Sequence, residues 1–108
     1  MGRYTKIGRI VFCEFTITLS NKGASSGVIN ITGLPFTVLT SSGTHGRYFF
    51  LNWNSTASNF VVVQLTPLDG TTNARIGGNT AAAQTVNNID ETMIDNDSSF
   101  SGSFFYIV

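Results

Sequence analysis

Charge is what this chain has least of. Lys, Arg, Asp and Glu make up 11% of its 108 residues, against roughly 25% in an average soluble domain. Six basic and six acidic residues cancel to a formal net charge of zero. That removes the general attraction that draws basic proteins to nucleic acid or to anionic membrane surfaces. A single cysteine, Cys13, excludes a disulfide framework and a zinc cluster. The only histidine is His45, in a Gly-Thr-His-Gly stretch with no nucleophile motif around any serine. No apolar run reaches transmembrane length, and there is no signal-peptide pattern. No segment holds a helical period with caps either.

The polar surface is therefore built from fourteen Thr, eleven Ser, ten Asn and eleven Gly. Nine Phe and many Val and Ile give such a chain enough apolar surface to fold rather than stay disordered. Its length suits one domain, residues 1–108, with one core.

The apolar residues alternate as strands do. Residues 3–7 form a short extended piece that turns at Gly8-Arg9. Residues 9–20 follow as a long strand, with Val11, Cys13, Phe15, Ile17 and Leu19 on one face. Its other face passes from Ile10 and Phe12 to Glu14, Thr16 and Thr18, as if only its beginning were covered. Cys13 reads as a small buried hydrophobe. Residues 28–32 make another strand, broken at Gly33-Leu34-Pro35-Phe36, where Leu34 and Phe36 plug the end of a core.

Further along, residues 47–54 read as one strand, with Phe49, Leu51 and Trp53 facing one way and Phe50, Asn52 and Asn54 the other. Residues 60–66 are a continuous apolar run of the doubly buried kind. Residues 67–88 are small, polar and Gly-rich, with a weak strand at 74–76. A strand is expected over 89–94, an acidic turn over 95–99, and a terminal strand over 100–108. The class is all-β: an antiparallel, jelly-roll-like sandwich of about seven or eight strands with no substantial helix. The terminal strand carries large apolar side chains on both faces, which points to a second subunit. Phe104, Tyr106 and Val108 are the expected oligomer interface.

Three stretches resemble a known family. They are Tyr4-Thr5-Lys6-Ile7-Gly8, Ile31-Thr32-Gly33-Leu34-Pro35-Phe36, and the closing Ser101-Gly102-Ser103 through Tyr106-Ile107-Val108. In this order they resemble the C-terminal head domain of bacteriophage tail fibres, tailspikes and related virion appendages. Residues 43–99 carry no such match. The resemblance implies a homotrimeric β-sandwich head that binds a host-surface glycan or protein, or that caps and trimerises the fibre. It also implies the virion as location and the rest of the fibre as partner. No shaft precedes the motifs here, so an excised piece of a longer fibre protein and a small free-standing protein both fit.

The sequence alone favours binding over catalysis. Asp90, Glu91, Asp95 and Asp97 are the one acidic cluster, and Asp95-Asn96-Asp97 starts like a calcium loop. It lacks the central Gly and closing Glu of such a loop, and reads as a solvated turn. A depolymerase using these carboxylates is the weakest alternative. Sugars are held by aromatic faces with amides and Arg nearby, so the receptor-binding candidates are His45, Arg47, Tyr48, Asn52, Trp53 and Asn54. The loops at 41–46, 55–59 and 69–83 are the expected contact surface. No enzyme activity, cofactor, metal, nucleic-acid partner or membrane insertion is expected.

Overall fold

A computed structural model describes residues 2–23, 27–40, 49–83 and 85–108. Among these residues lie eight strands in two antiparallel sheets and one short 3-10 turn. The strands are β1 (Gly2–Ile7), β2 (Ile10–Thr18), β3 (Asn30–Ile31), β4 (Phe49–Phe50), β5 (Asn52–Thr56), β6 (Val62–Pro67), β7 (Ala74–Asn79) and β8 (Ile94–Ile107). The first sheet runs β1-β2-β8-β5 and the second β3-β7-β6-β4. The chain is all-β, in a sandwich-like pair of sheets.

The β1–β2 hairpin forms as its sequence directs. Ile7 pairs with Ile10 across Gly8-Arg9, and Gly8 takes φ 58°, a conformation that costs glycine nothing. β2 then lies along β8 over nine paired positions. Directly paired residues share a face, and burial shows which face is inward. Val11 pairs with Tyr106 and Cys13 with Phe104, and all four are buried. From the second sheet, Val63, Leu65, Ala74 and Ile76 complete the core. Burial pushes the Cys13 thiol pKa up, which suits its expected part as a buried hydrophobe.

The Gly33-Leu34-Pro35-Phe36 segment closes one side of the core. Leu34 is buried, while Phe36 packs edge-on against Tyr4 with centroids 5.6 Å apart. The Phe36 backbone N–H donates to the Tyr106 hydroxyl at 3.1 Å. Burial raises the Tyr106 pKa, and the Phe36 hydrogen bond opposes that shift. Tyr106→Phe leaves this amide without its acceptor. A loss of about 1–3 kcal/mol is expected, measurable by urea unfolding.

Five sequence expectations change. The expected strand at 47–54 is not one strand over its described residues 49–54, because the chain leaves the second sheet after Phe50 and joins the first at Asn52. Buried Leu51 marks the crossing. The run at 60–66 is not doubly buried: Val61 is 60% exposed, so β6 has one core face. The weak strand at 74–76 extends to Asn79 and lies between β3 and β6. The expected strand at 89–94 holds the 3-10 turn Glu91–Met93. The expected acidic turn is the irregular start of β8, opposite a register shift between Asn54 and Thr56.

Candidate functional site: the outer face of the first sheet

The inward choice made by Phe104 and Tyr106 decides the rest of the terminal strand. These two side chains are 2% and 0% exposed, sealed inside the chain's own core, and Val108 packs against that core. The expected interface of Phe104, Tyr106 and Val108 is therefore corrected at Phe104 and Tyr106, while Val108 is only partly buried. What β8 offers to other molecules is the opposite face, with Phe105 and Ile107.

The pairing registers assemble that face row by row. Ile7, Ile10 and Ile107 form the first row, and Thr5, Phe12 and Phe105 the second. Arg3, Glu14 and Ser103 come next, with Arg3 Nε 3.6 Å from a Glu14 carboxylate oxygen. Both partners of this ion pair are well exposed, so it adds little to stability. Thr16, Ser101 and Asn52 follow, then Thr18, Ser99 and Asn54. One sheet face thus carries an apolar half and a polar half, the change foreseen along residues 10–18.

The polar half is concave. A shallow basin of about 400 Å³ is lined there by Arg3, Glu14, Thr16, Ser101 and Ser103. Gly2 and Gly102 contribute only backbone to its wall. A second cleft, of about 420 Å³, opens between the sheets among Tyr4, Cys13, Phe15, Ile31, Leu34 and Phe104. Its walls are mostly apolar.

The sequence candidates fall in different places. His45, Arg47 and Tyr48 lie outside the described residues. Asn52 and Asn54 stand on the outer face beside the basin. Trp53 pairs with buried Phe100 and packs half-buried against the core, away from both asparagines. Of the expected loops, 41–46 lies outside the described residues, and those at 55–59 and 69–83 do not share one end of the sandwich. The turn at 69–71 bonds to Val38, next to Leu39, whose N–H donates to the Ile107 carbonyl. Ala57 instead bonds to Met93, where β8 begins.

Two carboxylates of the acidic cluster, those of Asp90 and Glu91, are taken up by local structure. The Asp90 carboxylate caps the 3-10 turn by accepting from the Thr92 N–H at 2.9 Å. Glu91 accepts from the Gly27 N–H at 2.7 Å. The Asp95 N–H donates to the Ser98 hydroxyl, which donates in turn to the Ser55 carbonyl. Among the described residues, no three His, Cys, Asp or Glu side chains are grouped to hold a metal ion.

Sequence reasoning missed Arg3, Ser101 and Ser103 as surface partners. Only the β1–β2–β8 register brings them together, and no local pattern encodes it. Comparison with protein-family models, curated proteins and solved structures finds no match.

Proposed function

We propose that this chain is a head domain of a bacteriophage tail fibre or related virion appendage, a homotrimer that holds a host-surface glycan on its polar sheet half. The observation that carries the reading is the basin over Arg3, Glu14, Thr16, Ser101 and Ser103, with Asn52 in the neighbouring row. Glycan hydroxyls both donate and accept hydrogen bonds. Ser and Thr hydroxyls and Asn carboxamides do the same, and Arg3 with Glu14 adds charge-assisted bonds of both signs. A shallow, open surface suits a polymer that must be gripped along its side. The domain holds the glycan without cleaving it, acts on the virion and joins the rest of the fibre.

A glycan array probed with the chain, followed by titration of the best ligand, tests this reading. Thr16→Ala combined with Asn52→Ala removes two side-chain partners, so affinity should fall about tenfold at roughly 0.5–1.5 kcal/mol per bond. Unchanged affinity would move the site elsewhere. The apolar half of the same face favours a second reading, in which the domain only trimerises or caps the fibre. Assembled chains that bind no host-surface glycan or protein would select it.

A further inference from the structure

Arg75 is a half-buried cation that the basin on the first sheet does not use. Its neighbours on β7, Ala74 and Ile76, lie in the core, so its side chain stands on the outer face of the second sheet. There it shares a cross-strand row with Asn30 and Thr66. The adjacent row holds Phe50, Gln64 and Gly77, with Asn88 bridged to Gly77. Gly77 has no side chain to fill the space beside it. A nook of about 30 Å³ is left there, lined by Gln64, Thr66, Arg75, Gly77, Val86 and Asn88. The Arg75 Nε is buried and has no hydrogen-bond acceptor among the described residues.

We propose that this nook takes the carboxylate of an acidic sugar. A buried N–H without an acceptor is unfavourable, and a guanidinium carries donors only, so an acceptor is what completes it. No Asp or Glu lines the nook to supply one. The Gln64 and Asn88 carboxamides and the Thr66 hydroxyl add further donors. Donors grouped around a planar fork match a carboxylate, which accepts two parallel bonds from one guanidinium. Size agrees. One water needs about 10–15 Å³, so the nook suits the two oxygens of a carboxylate better than the four of a phosphate. Phe50, 75% exposed in the adjacent row, points to a sugar as the bearer. It offers an aromatic face two strands from β7, roughly 10 Å away, within reach of the next ring of the same glycan. The inference rests on the glycan reading and adds an acidic sugar to it. Basin and nook lie on opposite outer faces of the sandwich, so each fills independently of the other.

Glucuronate, glucose, acetate and inorganic phosphate, each titrated into the full chain, test the assignment through the Nε–H resonance of Arg75. The expected result is a saturable shift with glucuronate at millimolar concentration and none with glucose. Arg75→Lys keeps the charge but loses the planar fork, so glucuronate affinity, read at the Asn88 backbone amide, should fall about tenfold. If that variant does not fold, the parent's own Nε–H resonance still answers. An Arg75 resonance unmoved by glucuronate overturns the inference. Acetate binding as tightly as glucuronate overturns the sugar and gives the nook to any carboxylate, a protein's included. Phosphate binding as tightly makes it a general anion site and overturns the assignment too. A glycan array separates this inference from the reading it rests on. Neutral glycans that bind at the basin and leave Arg75 unmoved by glucuronate overturn this inference alone. Glucuronate saturating the nook while no array glycan reaches the basin supports this inference and overturns the basin as the receptor site.

Discussion

Phe104→Ala should destabilise the chain by about 3–5 kcal/mol, the usual cost of truncating a buried Phe. The ring sits where the core's aromatics converge. It meets Phe15 at 6.0 Å, Phe49 at 6.2 Å and Tyr106 at 6.2 Å between centroids, and it faces Cys13 across the β2–β8 ladder. None of these neighbours can close the hole without giving up another contact, because Phe15 and Phe49 also border the surface. A loss of this size approaches the whole stability of a small domain, so the variant should melt far below the parent or fail to fold. Phe105→Ala, one residue away on the outer face, should cost much less. Thermal unfolding of the two variants side by side checks the assignment of faces. Equal losses would show that β8 is covered on both sides within the chain itself.

Gly77→Ala should cost about 1–3 kcal/mol, the usual range for forcing an atom into a closed site. An added Cβ there would lie 2.9 Å from the Asn87 carbonyl oxygen and 3.1 Å from Val86 Cγ1. The backbone carbonyl cannot simply turn away. It accepts the Gly78 N–H at 2.8 Å, and the Asn87 N–H donates to the Asn79 side chain at 3.0 Å. Asn79 also donates to the Thr85 carbonyl at 2.8 Å. These bonds strap residues 85–88 across β7, so the new methyl group must lift the strap or bend the strand. Urea unfolding of Gly77→Ala measures the penalty. A neutral result would mean that the strap yields freely.

Much of the first sheet was legible in the sequence. The Gly8-Arg9 turn between Ile7 and Ile10 announces a hairpin, and alternation from Val11 to Leu19 names the buried side of β2. The terminal strand was legible as a strand but not as a face. Phe104 and Tyr106 compete with Phe105 and Ile107 on nearly equal hydrophobicity, and only pairing against Cys13 and Val11 decides between them. β7 was half hidden because Gly77, Gly78 and Asn79 have little strand preference of their own. Neighbours on both sides hold them extended. The crossing at Leu51 was invisible for a similar reason, since unbroken alternation says nothing about which sheet accepts the backbone bonds.

The candidate site was less legible than the fold. Asn52 and Asn54 were identified by residue type, and they do stand on the outer face. Arg3, Thr16 and Ser101 reach the same surface from three strands, and β1 and β8 lie at opposite ends of the chain. Their convergence is a property of register, which periodicity alone does not provide.

The most direct test is a nuclear magnetic resonance titration of the chain with the tightest ligand from a glycan array. The account predicts that the backbone amides of Arg3, Thr16, Ser101 and Asn52 shift together and saturate at one affinity. Saturable shifts confined to other surfaces, with these four unmoved, would contradict it.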